Sequence, residues 1–343
     1  MGSSLLLESL KGKISDRPPC WLMRQAGRYL PEYRTLREKA GSFLQLCLSP
    51  EMATDITLQP IRRFGLDGAI IFSDILIVPY GLGQALRFEE GRGPILDAVT
   101  GASELGKLSW DTHSAKIEPT YEAIERTRKE LADDVALIGF AGAPWTVATY
   151  MIEGGSSKDY ATTKKWAYGD PTGFASLVDI LVDATVRHLS RQIEAGVQVV
   201  KLFDSWSGVL APDEFKRWTV DPIRQIAERL RAIHRDIPIV GFPRGAGVLY
   251  QYFVENAGVD AVALDTNVPT YWAARHLQKS MPVQGNLDPV ALVVGGAVME
   301  KSVRRIRGDL SSGPFIFNLG HGVLPITPPE HVDALVRMLR EPG

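Results

Sequence analysis

The most concentrated charge in the chain is a group of cationic residues near its N-terminus. From Arg17 to Lys39 there are six basic and two acidic side chains, so this segment has a net charge of +4 within a chain of net charge −2. Five of the six are arginines, whose planar guanidinium group binds carboxylates or phosphates in bidentate fashion. Arg24 and Arg28 follow an apolar run and flank Gly27, where a ligand can approach the backbone closely. We therefore expect this pair to bind an anion.

A single carboxylate, Asp74, lies between the apolar runs Ala69–Phe72 and Ile75–Val78. A carboxylate in such surroundings is costly unless it is paired or functional. Asp74 either holds a loop through an ion pair or helix cap, or binds N–H donors and stabilises a developing cation. A glycosidase using two acids from Asp74, Asp204 and Asp265 is formally possible, but it leaves the arginines unexplained.

Three further polar residues could contribute to a site. Tyr150 follows a Pro-Trp-containing stretch, where a buried tyrosine commonly finds one hydrogen-bond partner. Ser205 lies in no G-x-S-x-G motif, so it is not expected to be a nucleophile. His321 lies between Gly320 and Gly322, which should leave its ring accessible, and an unperturbed histidine titrates near neutral pH. We expect His321 to belong to the site.

The composition excludes several classes of protein. With 45% hydrophobic and 23% charged residues, the chain is typical of globular proteins rather than disordered, collagen-like or disulfide-rich ones. Its net charge of −2 provides no field that would recruit nucleic acid or an anionic membrane. The uncharged run Val135–Ile152 is as long as a short membrane span, but its glycines and Pro144 favour a buried strand leading into a loop.

The cysteines and the N-terminus indicate a reducing compartment. Cys20 and Cys47 form no C-x-x-C motif and pair with no histidine motif, so we predict neither a disulfide framework nor a metal site. The first ten residues have no basic region and only a three-leucine apolar stretch, unlike a signal peptide. We therefore expect a cytoplasmic protein.

Short apolar runs alternate with amphipathic stretches and must position these residues. The predicted strands are Pro19–Met23, Ala69–Phe72, Ala136–Gly139, Val197–Phe203, Ile237–Gly241, Ala261–Leu264, Pro282–Gln284 and Phe315–Asn318. Several are apolar on successive residues, as in strands covered on both faces. The predicted helices are Pro50 to about Gly65, Pro119–Leu131, Gly173–Ala195, Pro212–His234, Gly247–Asn256, Thr270–Lys279, Gly296–Arg307 and Pro329–Leu339. Residues Leu86–Leu96 indicate a hairpin insertion.

Eight strands alternating with about eight helices predict one (β/α)₈ barrel that spans residues 1–343. A doubly wound open sheet is the alternative, but no strand precedes a G-x-G-x-x-G or Walker loop. In a barrel, the functional residues follow the carboxyl ends of the strands. Polar residues stand at these ends: Arg24, Asp74, Tyr150, Ser205, Arg244, Asp265, Asn286 and His321.

Several motifs resemble the uroporphyrinogen decarboxylase family. The resemblance begins with WLMRQAGRYLPEYR at Trp21–Arg34. It continues, in order along essentially the whole chain, through LQPIRRF (Leu58–Phe64), IIFSDIL (Ile70–Leu76), GAPWT (Gly142–Thr146), YMIEGG (Tyr150–Gly155), GNLDP (Gly285–Pro289) and NLGHG (Asn318–Gly322). Motifs of this length are far more specific than a lone glycine pattern.

This resemblance implies a (β/α)₈ barrel, usually a homodimer, that needs no cofactor. The implied reaction removes carbon dioxide from the four acetate arms of uroporphyrinogen III and gives coproporphyrinogen III. By matching motif positions, the implied substrate-contacting residues are Arg24, Gln25, Ala26, Gly27, Arg28, Arg37, Phe43, Asp74, Tyr150, Ser205 and His321. Of these, Asp74, Arg24, Tyr150 and His321 are the implied catalytic residues. Without the resemblance, Arg34, Arg37 and Lys39 equally fit a solvated basic face.

The implied chemistry assigns provisional roles. Decarboxylation of an acetate arm leaves a carbanion, and a pyrrole protonated at a ring carbon can accept its electrons. We expect Asp74 to stabilise the resulting cation. Arg24 is expected to position a carboxylate, because a guanidinium with a pKa above about 12 is a poor acid. A corrinoid-linked methyltransferase would use a zinc-bound thiolate, and no cysteine follows the last strand. A tetrapyrrole-binding module without activity leaves Asp74 unexplained. The sequence assigns no role to Asp204.

Overall fold

The structure is a computed structural model that describes residues 4–89 and 91–341. Its strands are β1 (Gly68–Ile70), β2 (Leu86–Glu89), β3 (Gly93–Leu96), β4 (Ala136–Gly142), β5 (Val199–Asp204), β6 (Ile239–Pro243), β7 (Ala261–Ala263), β8 (Val283–Leu287) and β9 (Phe315–Leu319). Seven of them form one parallel sheet in the order β1-β4-β5-β6-β7-β8-β9. Because this spatial order follows the chain order, the sheet is curled as in a barrel and the doubly wound alternative is wrong.

The segment Pro19–Met23 closes the sheet, although it is not a regular strand. Cys20 forms an isolated parallel bridge with Phe317 of β9, and the Phe317 N–H donates to the Pro19 carbonyl at 2.9 Å. On its other side, the Asp67 N–H donates to the Cys20 carbonyl at 2.9 Å, just before β1. The segment therefore fills the eighth position of the ring, between β9 and β1.

Helices connect and flank the strands. They are α1 (Leu5–Leu10), α2 (Pro31–Lys39), α3 (Phe43–Cys47), α4 (Pro50–Phe64), α5 (Ile77–Gly81), α6 (Trp110–His113), α7 (Glu118–Glu130), α8 (Pro144–Glu153), α9 (Ala161–Gly169), α10 (Pro171–Glu194), α11 (Pro212–Phe215), α12 (Asp221–Ile233), α13 (Tyr250–Asn256), α14 (Thr270–His276), α15 (Pro289–Val294), α16 (Gly296–Leu310) and α17 (Pro329–Arg340). All eight predicted helices are present, although a π-helical turn at Lys216–Val220 divides the fourth. The buried apolar residues form one cluster that runs from Leu6 to Leu339.

The start and end signals of α4 illustrate why these helices form where they do. The Ser49 side chain accepts the Met52 N–H at 3.4 Å, and Pro50 occupies the first turn, where its missing N–H costs nothing. Gly65 ends the helix in the left-handed conformation, with φ of 66°. The helix lies where the sequence predicts it.

Two predictions need comment. The hairpin at Leu86–Leu96 is confirmed by the antiparallel pairing of β2 with β3, although its residue 90 lies outside the described residues. The loop expected after the strand in Val135–Ile152 is wrong, because Pro144–Glu153 form α8. Pro144 lies at the first position of this helix, where it starts rather than breaks the helix.

Candidate active site

Most of the candidate residues lie just after the carboxyl ends of the barrel strands or of the closing segment Pro19–Met23. Arg24 follows Pro19–Met23, and Ser205 follows β5 directly. Asp74 follows β1 by four residues, and His321 follows β9 by two. Tyr150 lies on α8, the helix after β4, rather than in a loop as predicted. One end of the barrel therefore carries all five groups.

Arg24 lies at the centre of this group. Its φ of 61° places a non-glycine residue in the left-handed region, a strained conformation often found at functional sites. A Cβ on Gly322 would collide with the Arg24 side chain, so that glycine makes room for it. The Arg24 charge lowers the pKa values of Asp74, Tyr150 and His321, as expected for a guanidinium at the same end of the barrel.

The Asp74 side chain is half-buried, and its surroundings shift the pKa of its carboxyl in opposite directions. Burial raises its pKa above the ordinary value, whereas the Leu76 N–H, which donates to Oδ1 at 2.9 Å, and the Arg24 charge lower it. The net pKa shift is upward. Asp74 also forms no salt bridge within 4.0 Å to any described residue, so its oxygens can accept N–H groups from a ligand.

His321 is a neutral group in this site. Burial, followed by the charges of Arg24 and Arg244, lowers its pKa to about 3. An unperturbed histidine titrates near neutral pH, but the sequence reveals neither the burial of this ring nor the two guanidinium charges that lower the His321 pKa. Its flanking glycines also act differently from the prediction. Gly322 accommodates Arg24, and a Cβ on Gly320 would collide with Thr266.

Tyr150 contributes a half-buried phenol to the same end of the barrel as Asp74. Burial raises its pKa, and the Asp74 charge raises it further. Its ring centroid lies 6.3 Å from that of Trp206, whose ring also lies 5.4 Å from the Tyr160 ring. The phenol therefore stays protonated at neutral pH and can donate one hydrogen bond to a ligand.

Arg37 and Phe43 form a second part of the site. The Arg37 guanidinium carbon lies 5.9 Å from the centre of the Phe43 ring, and Arg37 Nη1 is buried with no hydrogen-bond partner among the described residues. Phe43 packs edge-on against Phe72 at 5.7 Å and Phe88 at 4.7 Å. The aromatic group holds this guanidinium in place, and an unsatisfied buried donor is costly unless a ligand completes it.

The remaining candidates come from the segment after Pro19–Met23. Arg28 is exposed, and Ala26 and Gly27 are half-buried. The Gln25 side chain is buried and engaged, since Oε1 accepts the Leu22 N–H at 3.0 Å and Nε2 donates to the Gly68 carbonyl at 3.1 Å. The side chain of Gln25 therefore fixes the segment to β1 and does not point into the site.

Two cationic residues have no role in the sequence-based assignment. Arg244 directly follows β6, and its Nη1 donates to the Ser205 carbonyl at 3.4 Å. Its position at a strand end was the signal that could have identified it. Lys201 is buried inside the barrel, with Nζ 4.9 to 5.2 Å from the rings of Trp21, Phe203 and Phe242, and burial lowers its pKa to about 7. Lys201 lies within an apolar run of the sequence, and no neighbouring motif identifies it as a functional residue.

Asp204 and Asp265 are held by the protein. The Thr146 hydroxyl donates to Asp204 Oδ1 at 2.5 Å, and burial raises the Asp204 pKa to about 6. Asp265 accepts the Gly245 N–H at 2.7 Å and the Tyr250 hydroxyl at 3.0 Å. Both carboxylates therefore tie loops together, which does not favour a glycosidase pair.

Metal-ligating residues do not cluster within residues 4–89 and 91–341, where no three of His, Cys, Asp and Glu are grouped to hold an ion. Cys20 and Cys47 are free thiols whose pKa values are raised by burial. In the same part of the chain, every helix is too short or too polar to cross a bilayer.

Comparison with known proteins extends these observations to nearly the whole chain. The family model described as "Uroporphyrinogen decarboxylase (URO-D)" matches residues 1–342. A uroporphyrinogen decarboxylase of Rhodospirillum rubrum is 49% identical over 336 residues, which cover 98% of this chain and 97% of the relative. A protein of the same name from Chelativorans is 50% identical, with 99% of each chain covered.

Solved structures share the fold at much lower identity. A methyltransferase from Methanosarcina mazei has a TM-score of 0.81 and 18% identity, with 98% of each chain covered. A structure described as a putative vitamin-B12 independent methionine synthase from Listeria monocytogenes has a TM-score of 0.56 and 14% identity, with 96% of each chain covered. At such identities the likeness concerns the barrel architecture and not the chemistry.

Proposed function

This chain belongs to the uroporphyrinogen decarboxylase family, and we propose that the residues at its barrel mouth carry out that family's reaction. The enzyme removes carbon dioxide from the four acetate side chains of uroporphyrinogen III and gives coproporphyrinogen III. Each step breaks the bond between a carboxylate and its methylene group, and the methylene then gains a proton to become a methyl. The substrate is a small tetrapyrrole with eight carboxylates.

The observation that carries this proposal is a half-buried carboxylate, Asp74, beside Arg24 and without a salt-bridge partner among the described residues. When a pyrrole ring is protonated at carbon, it becomes cationic and accepts the electron pair left by carbon dioxide. The Asp74 carboxylate accepts the pyrrole N–H groups and stabilises that cation. In a partly buried site such stabilisation is stronger than in water.

The other groups position the substrate. Arg24, Arg28 and Arg37 bind substrate carboxylates, and Phe43 supports Arg37 from the side. The half-buried backbone at Ala26 and Gly27 gives the macrocycle room beside the first two arginines, with Gln25 holding that turn in place. Tyr150, Ser205 and neutral His321 direct the remaining polar ends of the substrate and act as hydrogen-bonding rather than charged groups.

We further propose that the enzyme uses no cofactor, that residues 1–343 form one domain and that two copies form a homodimer in the cytoplasm. The first proposal rests on the substrate acting as its own electron sink. Dimerisation is supported by exposed apolar side chains on the loops and helices after β6, β7 and β9, namely Val248, Tyr271 and Ile326. The free cysteines fit a reducing compartment.

The deciding experiment is anaerobic incubation of the purified protein with uroporphyrinogen III. The mixture contains a chelator and no added cofactor, and the products are oxidised and separated by porphyrin chromatography. We expect intermediates with seven, six and five carboxylates, followed by the tetracarboxylic product. If only the octacarboxylic porphyrin is recovered while the protein binds it, the chain is a binding module and the proposal is wrong.

A further inference from the structure

Arg244 is a half-buried cation at the barrel mouth whose charge no carboxylate of the described chain neutralises within 4.0 Å. Its Nη1 donates to the Ser205 carbonyl at 3.4 Å, and its guanidinium carbon lies 5.8 Å from the centre of the Trp206 ring. A guanidinium group has five N–H donors, so most of those on Arg244 are available to a ligand.

Arg128 shows what a structural arginine looks like in the same protein. Its guanidinium donates to the carbonyls of Val135, Leu131 and Ala132 and to the Gln198 side chain, at 2.7 to 3.2 Å. Those bonds engage both terminal nitrogens of the Arg128 guanidinium. Arg244 has no comparable set of acceptors among the described residues, so its position serves something other than packing.

The backbone of Arg244 is held firmly. Its N–H donates to the Asp204 carbonyl at 3.1 Å, and its carbonyl accepts the Gly208 N–H and the Ser207 hydroxyl, both at 3.0 Å. The next residue, Gly245, donates its N–H to Asp265 at 2.7 Å. The side chain therefore extends from a fixed point between the β5 and β6 ends, which reduces the entropy lost on binding a ligand.

The position of Arg244 around the ring is informative. Counted around the ring from the closing segment Pro19–Met23, the next positions are β1, β4, β5 and β6. β6 is therefore four positions away in a ring of eight and lies across the barrel from that segment. Arg24 and Arg28 therefore leave one side of the mouth and Arg244 leaves the opposite side. The charges of both Arg24 and Arg244 lower the pKa of His321, which follows β9 at the same end of the barrel.

We propose that Arg244 binds a carboxylate of the substrate on the side of the mouth opposite Arg24 and Arg28. This inference rests on the proposed function, because a macrocycle with carboxylates around its whole edge needs cations on both sides of the cleft. A ligand with acidic groups on one edge alone would leave Arg244 unneutralised. Trp206 holds the guanidinium in orientation through its ring face.

The test compares Arg244→Met and Arg244→Lys with wild-type enzyme in anaerobic steady-state assays. Arg217→Met is the matched control, because Arg217 is exposed and its guanidinium carbon also lies over a tryptophan ring, 4.5 Å from the centre of the Trp218 ring. We expect R244M to raise KM roughly 10- to 100-fold, the range for a lost charge-assisted hydrogen bond, with a smaller effect on kcat. R244K should recover part of the loss, and R217M should behave as wild type.

Two further readouts separate binding from a structural role. Melting temperatures of R244M and wild type should agree, and the KM of wild type should rise more steeply with salt than that of R244M. An active wild type with an unchanged KM in R244M overturns this inference while the proposed function stands. If the wild type shows no turnover, equilibrium binding of octacarboxylic uroporphyrin decides, and equal dissociation constants for wild type and R244M overturn it.

Discussion

At the scale of single residues, the site depends on how Asp74 and Arg24 influence one another. Burial favours the protonated form of Asp74, whereas Arg24 and the Leu76 N–H favour the carboxylate. Because the net shift of the Asp74 pKa is upward, the protein does not fully compensate the negative charge of this carboxylate. Such a group stabilises a cation developing in the substrate better than one already held in a tight ion pair.

Replacing Asp74 with Asn should lower kcat by roughly 10²–10³, because one preorganised electrostatic interaction with the cationic pyrrole is lost. Wild-type activity should also fall on acidification, at a higher pH than a carboxyl with an unshifted pKa would give, since the pKa of Asp74 is raised. Steady-state rates from pH 5 to 8 measure both effects. Asp133→Asn is the control, because Asp133 is exposed in the turn before β4, at the other end of the barrel. Full turnover by D74N would refute the assigned role.

Residue types at the site could be predicted from sequence, but their protonation could not. Asp74 and His321 follow apolar runs, so their positions at strand ends are readable from the chain. The pKa of His321 depends first on burial of its ring and then on the charges of Arg24 and Arg244, and all of these arise only in the folded barrel. Lys201 lies in an apolar run, and its inward direction depends on the register of β5.

At the scale of elements, a hydroxyl connects α8 to the end of β5. Thr146 Oγ1 donates to Asp204 at 2.5 Å and accepts the Trp206 N–H at 3.1 Å. These bonds fix the turn that carries Ser205 and Trp206, and α8 also carries Tyr150. The Asp204 carboxylate, whose role could not be assigned from the sequence, therefore helps to position the site.

Asp204→Asn should stabilise the protein above about pH 6. The pKa of Asp204 is raised from 3.8 to about 6 in the folded state, so folding opposes its ionisation. Below the pKa of Asp204 in the unfolded chain, its carboxyl is protonated in both the folded and the unfolded state, and the substitution has little effect on stability. Between the unfolded pKa of 3.8 and the folded pKa of about 6, the free energy of unfolding of the wild type falls as pH rises. Above about pH 6 this fall is complete and amounts to a free energy on the order of 1–3 kcal/mol.

Urea unfolding of D204N and wild type at pH 4.5, 6 and 7.5 measures this difference. The stability difference should grow between the first two values and then remain constant. Asp213→Asn provides the control, because Asp213 lies on α11 with its side chain almost fully exposed. A pH-independent difference between D204N and wild type would show that the Asp204 carboxyl does not titrate in this range.

Elements with strong local signals were predictable, and those that depend on context were not. The start of α4 at Ser49 and Pro50 and its end at Gly65 are written in the residue types. The apolar sequence of α8 gives no clear helical period, since nearly all of its residues are buried. Residues Pro19–Met23 resemble a strand, but among the described residues the segment forms a single bridge, and its chain turns into the site at Arg24.

At the scale of the whole molecule, closure of the ring places Arg24 and Arg28. Closure depends on Asp67, which precedes β1 and binds the N-terminal segment. Its carboxylate accepts two N–H groups of Arg17, at 2.7 and 2.9 Å, and the Cys20 N–H at 2.8 Å. One carboxylate therefore holds both the start and the backbone of the closing segment.

Asp67→Ala should destabilise the fold by roughly 2–4 kcal/mol, since it removes three hydrogen bonds and leaves a partly buried guanidinium and an N–H unpaired. Asp55→Ala is the matched control, because its pair with Arg62 has side chains 45% and 56% exposed, against 14% and 29% for Asp67 and Arg17. An exposed pair contributes about 1 kcal/mol or less. Urea unfolding of both variants measures these losses.

The same substitution should also affect substrate binding from a distance. Because Arg24 and Arg28 continue from the segment that Asp67 holds, D67A should raise KM for uroporphyrinogen more than D55A does, at temperatures where both are folded. If D67A were as stable as D55A and bound substrate as wild type does, the ring would be closed by the backbone bonds alone. The Asp67 carboxylate would then have no part in placing the two arginines.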